Sequence, residues 1–340
     1  MNIIARLIAS AACCVLASAS AFAADTVRVG VIGSSADAPF FVAQDMGYFA
    51  DEGIEPQFES MPSLARQVVP LSSGDLDVGN GAVSAGLYNA VSRDIPMKVV
   101  ADKGHNAPGS SYNVFLVRKD LYDDGSIRSF ADFKGRKVAT IGIGSADMSI
   151  INEAMKTVGM SYDDIEQTAL ALPNHMVTLQ NKGIDITLTP EPFATLIVEK
   201  GIAVKLAAVG DFYPNQQQSV VIYGGRFIKE RPEVAQRFMN AYLRGVRTYM
   251  ASVKDGTMTG EGADKVIASI VKNSSTKDVE LLKRIYAVNI NTDGSVNFEG
   301  MKKDWDFLNS KGLIENSVTP EDIVDMSFAE KATAKLDGGK

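Results

Sequence analysis

The stretch L-S-S-G-D-L-D-V-G-N-G occupies residues 71–81, and L-Q-N-K-G-I-D-I-T-L-T-P-E-P occupies residues 179–192. In both, a helical run ends near a glycine, Gly74 or Gly183, and an aspartate follows, Asp77 or Asp185. Glycine just past the last periodic residue is a helix stop, because it accepts the left-handed turn that ends the helix. A short β-rich run after such a stop reads as a buried strand. The chain therefore writes one joint twice: helix, stop, strand, loop. The strands deliver Asn80-Gly81 in one case and Pro190-Glu191 in the other. The two aspartates sit where the strands begin, at the far end from those loops.

Working outward, residues 27–32, 54–59, 76–79 and 97–101 read as strands, with helices over 39–49, 64–71 and 84–91 between them. A loop is expected over 104–111. The alternation then restarts, with strands at 112–117, 137–141, 166–170, 184–188, 204–208 and 219–223. A short turn of helix at 130–135 and helices at 146–158, 174–181 and 193–200 accompany them. From Pro232 the pattern is mainly helical, with helices at 232–246, 276–288, 298–310 and 320–326 and a frayed end over 334–340. Strands alternating with helices predict parallel sheets covered on both faces. The fold class is α/β, with two open lobes in tandem and a helical tail. Residues 25–111 and 226–340 form the first lobe in this reading, and 112–225 form the second. Two crossings, near 110–113 and 223–226, make a hinge, and the cleft between the lobes receives the carboxyl ends of the strands, where α/β sheets bind ligands.

The first residues, M-N-I-I-A-R-L-I-A-S-A-A-C-C-V-L-A-S-A-S-A-F-A-A-D, have the form of a cleaved secretory signal over residues 1–24. Arg6 supplies charge, an apolar run follows, and Ala21-Phe22-Ala23 is a small-x-small site. Both cysteines, Cys13 and Cys14, lie inside this segment. Ser10 argues against a lipid anchor through either one, and lipidation is kept as the alternative. A mature chain without cysteine has no disulfide, thiolate nucleophile or cysteine metal site. Without Arg6 there are 33 basic against 41 acidic residues, a net charge of about −8. No Lys/Arg block is present, so a nucleic-acid partner is not expected. No cofactor and no metal are expected either.

Five phrases now carry a resemblance. They are G-Y-F-A-D-E-G-I-E-P (47–56), S-G-D-L-D-V-G (73–79), F-A-D-F-K-G-R-K-V-A (130–139), G-I-D-I-T-L-T-P-E-P (183–192) and R-P-E-V-A-Q-R-F-M-N-A-Y (231–242). In this order, and covering nearly all of the mature chain, they resemble the periplasmic substrate-binding proteins of ABC importers. The branch is the one that takes nitrate, sulfonates, taurine and thiamine-pyrimidine precursors. The resemblance implies a type II binding-protein fold that closes on a small-molecule ligand and is read by an ABC permease in the inner membrane. It implies a monomer in the periplasm and no catalysis.

Candidate ligand residues come from the loops after strands. Ser34, Ser35 and Asp37 open a helix that carries Phe40. Their hydroxyls, free N–H groups and carboxylate suit a polar group, although Asp37 could simply cap the helix. Met61 and Ser63 follow the second strand, and Asn80, Ala82 and Ser84 the third. Ser145 and Asp147 open a helix in the second block. His105 and His175 each follow a strand, one per block, and Tyr112 offers a ring. Glu191 matches the glutamate of the family's E-P phrase, with loop bracing as its structural alternative. Asp37, Asp147 and Glu191, with no Arg or Lys in the same loops, favour a ligand that donates hydrogen bonds, such as an aminopyrimidine or an amine. A sulfonate or nitrate held at helix N-termini is the alternative.

Two rival functions remain open. A ligand-presenting sensor for a membrane receptor would have the same fold and site. A pyrimidine-synthesis enzyme of the related cysteine-dependent type is disfavoured, since the mature chain has no cysteine and no G-x-S-x-G elbow. The signal reading predicts a mature chain that starts after Ala23 or Ala24. Intact-mass measurement of the exported protein checks it, and a mass that retains Cys13 and Cys14 would contradict it.

Overall fold

The computed structural model describes residues 23–61, 63–315 and 318–338. The signal segment, with Cys13 and Cys14, lies outside the described residues apart from Ala23 and Ala24. Ten strands form two five-stranded sheets. They are β1 (Asp25–Val31), β2 (Ile54–Ser60), β3 (Val78–Ala82), β4 (Met97–Asn106), β5 (Asn113–Arg118), β6 (Lys137–Thr140), β7 (Glu166–Ala169), β8 (Ile186–Pro190), β9 (Ala203–Ala208) and β10 (Gln216–Gly224). The first sheet has the order β2-β1-β3-β10-β4 and the second β7-β6-β8-β5-β9.

The sheets are mixed, where purely parallel ones were expected. In the first, β1 runs parallel to β2 and β3, but β10 is antiparallel to β3 and β4. In the second, β6 is parallel to β7 and β8, but β5 is antiparallel to β8 and β9. The reason is the crossing itself. A lobe's own strands run toward the cleft, whereas a strand that arrives from the other lobe starts at the cleft and runs away from it. The first crossing, between β4 and β5, falls where the sequence placed it. The second lies between β9 and β10, at residues 209–215. The strand read at 219–223 thus belongs to the first sheet, so the crossing expected at 223–226 is corrected.

The two joints are built alike. The helix Leu64–Ser73 ends at Gly74, whose φ is 81°. In the second joint the left-handed residue is Lys182, with φ 60°, and not Gly183. Gly183 is small for a different reason: a Cβ there would sit 2.8 Å from the Thr178 side chain. Asp77 Oδ2 accepts the Arg28 N–H at 2.9 Å, and Asp185 Oδ2 accepts the Lys137 N–H at 3.1 Å. Each aspartate anchors the neighbouring strand and meets an arginine, Arg231 at 3.5 Å or Arg118 at 3.0 Å. Both are structural.

The tail packs on both blocks: its first helix lies against the first, and helix Phe298–Ser310 reaches the second, where the Phe307 ring centroid is 5.7 Å from that of Tyr162. Helix Pro232–Ala251 buries Phe238, Tyr242, Val246 and Tyr249 along one face, at the spacing of successive turns. Phe40 meets this face, with its ring centroid 6.1 Å from Phe238 and 4.9 Å from Tyr242. It is fully buried, so Phe40 is core and not a ligand residue. Burying such a ring stabilises by about 1.5–3 kcal/mol. A helix Ala263–Asn273 went unread, and the one expected at 276–288 is only Val279–Arg284, capped by Asp278 on the Leu281 N–H at 2.9 Å. The expected helix at 320–326 is Pro320–Ile323. The frayed end is instead a helix, Ser327–Gly338, held because Phe328 packs on Tyr223 at 5.3 Å.

β4 extends to Asn106, five residues past its expected end. Its last residues were read as loop because they are polar, and each finds a partner inside. Asp102 is fully buried. Its Oδ1 accepts from Gly104 N–H at 2.7 Å and Gln217 Nε2 at 2.8 Å. Its Oδ2 accepts from His105 Nδ1 and the Asn291 N–H, both at 2.8 Å. His105 is therefore a strand residue turned into this cluster, which corrects its reading as a cleft loop. Asp102→Ala leaves these buried donors without an acceptor, each costing about 1–3 kcal/mol. We expect urea denaturation to show a loss of at least about 3 kcal/mol. A loss below about 1 kcal/mol would remove Asp102 from its bracing role.

Candidate functional site

A cavity of about 140 Å³ lies between the two sheets. The first lobe supplies Ile32 and Ser34 after β1, Ala82 at the end of β3 and Lys103 from β4. The second supplies Ile141 after β6, Asp147 and Ile150 from helix Ala146–Lys156, Leu172, and Leu188 and Pro190 from β8. The starts of the crossing strands complete it, with Tyr112 and Asn113 at β5 and Gln216, Gln218 and Ser219 in β10. The walls are thus mostly apolar, with a few polar groups pointing in.

Two charged side chains define its chemistry. Lys103 is 1% exposed, and its Nζ lies 2.8 Å from Asp37 Oδ1. Asp37 is fully buried behind it, and its Oδ2 accepts the N–H groups of Gly33 at 2.7 Å and Ser34 at 3.1 Å. Asp37 therefore both caps the turn and holds Lys103. Across the cavity, Asp147 Oδ2 accepts the Ile141 N–H at 3.1 Å. Among the described residues no basic side chain pairs with Asp147. Burial without a cation pushes its carboxyl from 3.8 up to about 6.

The neutral polar groups are held in place from behind. Along β10 the side chains alternate, so Gln216 and Gln218 face the cavity while Gln217 turns to Asp102. Gln216 Nε2 donates to Asp304 Oδ2 at 2.8 Å, and its Oε1 accepts from Asn106 Nδ2 at 2.8 Å. Tyr213 OH donates to the other Asp304 oxygen at 2.8 Å. Burial pushes Asp304 up to about 7. The Tyr112 phenol sits beside Ser35 and near Asp37, and burial pushes it up to about 12.

The lobes touch directly at the rim. The Ala85 N–H donates to the Gly144 carbonyl at 2.9 Å, and Ser84 and Ser145 form an antiparallel bridge. Gly144 has φ 80°, and a Cβ there would lie 3.2 Å from that of Ala85. A side chain at 144 would strain the turn and crowd the contact.

Of the residues expected at the site, Ser34, Ala82, Tyr112 and Asp147 line the cavity, and Asp37 and Ser35 stand behind it. Ser84 and Ser145 form the rim. The others lie elsewhere. Ser63 is exposed at the start of a helix, and Met61 packs into the core beneath it. Asn80 is fully buried and donates to the Gly30 carbonyl at 2.5 Å. His175 is fully buried in a helix, Leu172–Gln180. Its Nδ1 accepts from the Thr187 hydroxyl at 2.6 Å, its Nε2 donates to the Leu170 carbonyl at 3.0 Å, and burial lowers its pKa. It is a neutral core histidine. Glu191 accepts from both the N–H and hydroxyl of Thr195, at 3.0 and 2.8 Å, and lines a separate cavity of about 220 Å³. These bonds brace the turn at Thr195, and Glu191 does not line the cavity between the sheets.

Sequence reasoning missed Lys103, Asn113, Gln216 and Gln218. A lysine two residues after the apolar run V-V-A, and the Q-Q-Q-S run before a β-rich stretch, were the available signals.

Residues 35–253 match the family described as NMT1/THI5 like. The chain belongs to this family. No curated protein matches its sequence. Three solved structures show the same fold, that of periplasmic binding proteins. A ligand-binding component of an ABC-type import system from Staphylococcus aureus, solved with zinc bound, is 14% identical with a TM-score of 0.70, over 91% of this chain and 99% of that one. The periplasmic aliphatic sulphonate binding protein SsuA from Escherichia coli is 16% identical with a TM-score of 0.68, over 90% and 99%. The desulfurization enzyme DSZB is 14% identical with a TM-score of 0.60, over 92% and 99%. No described helix of this NMT1/THI5-like chain is long and apolar enough to cross a membrane.

Asp147 gives the site a pH signature. Its pKa is raised on folding, so the folded state favours the protonated form. Its contribution to stability is complete below the ordinary value of 3.8 and is lost as pH rises through about 6. Asp147→Asn should remove that component. The melting temperature of the wild type relative to the variant should fall between about pH 4 and pH 6 and stay level above. A constant difference across this range would mean that Asp147 is not held as described.

Proposed function

We propose that this protein is a periplasmic, non-catalytic solute-binding protein that captures a small organic molecule between its lobes and delivers it to an ABC permease. Membership of the NMT1/THI5-like family, the cavity between two sheets and the fold shared with an ABC import component support this reading. Capture follows from the geometry. A solute that touches both lobes binds the closed form better than the open one, and that difference drives hinge closure. In this reading the protein acts as a monomer. A permease then reads the closed form.

The observation that carries the ligand class is Asp147, a carboxylate facing the cavity with no cation beside it among the described residues. It calls for a solute that donates hydrogen bonds, of the amine or aminopyrimidine type. Solute binding of this kind favours the ionised carboxylate, so affinity should rise with pH through about 6 and level off above.

Lys103 favours a second reading, a sulfonate- or nitrate-type anion. Asp37 weakens it, because the lysine is already neutralised at 2.8 Å. A thermal-shift screen across amines, aminopyrimidines, sulfonates and nitrate separates the two. Solute at a hundred times its dissociation constant adds about 2.7 kcal/mol. Amines or aminopyrimidines should give the shift, and Asp147→Asn should abolish it. A shift from small sulfonates or nitrate alone would establish the anion reading instead. Turnover of any of these compounds by the pure protein would displace the non-catalytic reading.

A further inference from the structure

We propose that the solute is a dipolar molecule of about single-ring size, carrying a hydrogen-bond-accepting oxygen for Lys103 at one end and a donating amine for Asp147 at the other. This rests on the solute-binding reading and adds to it the second end and the size.

The Lys103 end is built and incomplete. An ammonium carries three N–H donors, and burial makes each unmatched one costly. Lys103 Nζ is buried, its one close partner among the described residues is Asp37 Oδ1, and it makes no well-aligned hydrogen bond. Lys103 lines the cavity, so an acceptor placed there completes it. The Asn113 side-chain amide oxygen is also buried without a partner on the cavity wall, and as an acceptor it calls for a donor on the solute. Because Asp37 cancels the lysine charge, this end suits a carbonyl or carboxylate oxygen without requiring a full anion.

The charges exclude the one-ended alternatives. Lys103, Asp37 and an ionised Asp147 sum to one negative charge. A pure anion would bring a second negative charge close to Asp147 in a small, mostly apolar space. A pure cation would satisfy Asp147 and leave the Lys103 donors unmatched. A molecule with both groups satisfies both ends. Lys103 belongs to the first sheet and Asp147 to the second lobe, so the same molecule links the lobes. Its length is bounded by the cavity, about 140 Å³, close to the size of an engineered cavity that holds benzene. Ile32, Ile150 and Leu188 cover its middle.

The test uses matched five- and six-membered-ring probes on the mature protein by titration calorimetry. Proline and cytosine carry both groups, one as a zwitterion and one uncharged. Pyrrolidine carries only the amine, and cyclopentanecarboxylate only the acceptor. We expect proline or cytosine to bind at least about tenfold tighter than either one-ended probe. Proline identifies a charged zwitterionic solute and cytosine a neutral aminoheterocycle, and either supports the proposal. Asp147→Asn should weaken that probe about tenfold or more, and so should the paired change Lys103→Met with Asp37→Asn, which leaves no buried charge unpaired. A one-ended probe that binds as tightly, or a dipolar probe indifferent to both variants, overturns the proposal while leaving the solute-binding reading intact. If no probe here and no compound in the wider screen binds, both fall.

Discussion

The carboxylate of Asp102 is the constraint on which the site depends. It sits at the end of a strand that continues past the point where apolar residues run out. There it gathers two backbone N–H groups, a histidine and a glutamine from three segments of the chain. Those segments are β4, the incoming strand β10 and the tail near residue 291. Fixing them fixes the side chains on the opposite faces of the same strands. Lys103, next to Asp102, is turned into the cavity, and so are Gln216 and Gln218 on either side of Gln217. A polar cluster behind the wall thus positions the polar groups on the wall.

The same logic explains why the acidic and basic residues around the two sheets divide into two kinds. Asp77, Asp102 and Asp185 spend their oxygens on backbone and side-chain donors of the protein, and they hold strands in register. Asp147 receives one backbone donor and no cation. Lys103 has an ion-pair partner and unmatched donors. What distinguishes the two kinds here is the hydrogen-bonding capacity left over, since neither kind is fully exposed.

The lobes, their order and most strands were legible in the sequence because local patterns set them: glycine stops, β-branched runs and helical spacing. The first crossing was legible too. The second was misplaced because Q-Q-Q-S-V-V-I-Y reads as a strand without saying which sheet it joins. That choice depends on long-range pairing with β3 and β4. The site was half legible for a related reason. Residues such as Ser34, Ala82 and Asp147 follow from strand ends, whereas Lys103 lies within a strand that runs past its expected end. His105, His175 and Glu191 were polar residues near strand ends; Asp102 and Thr195 lie within four residues of their partners, but only the local backbone turns them together, and Thr187 is brought to His175 by the fold. Phe40 sits on the helix that opens the site, and packing against helix Pro232–Ala251 makes it core.

One contact at the rim has a consequence for how such a protein can diversify. The lobes meet through a main-chain bond from Ala85 to Gly144, made by groups that every residue except proline possesses. The clasp is therefore written in the backbone, while preference for a solute is written in side chains on the cavity wall. Wall residues can be exchanged one at a time without redesigning the clasp. Position 144 is the point of rigidity, because its left-handed turn and the nearby Ala85 leave room for little besides glycine. A shared frame can in this way serve unlike cargoes, with the interchangeable part confined to a few positions facing a small space.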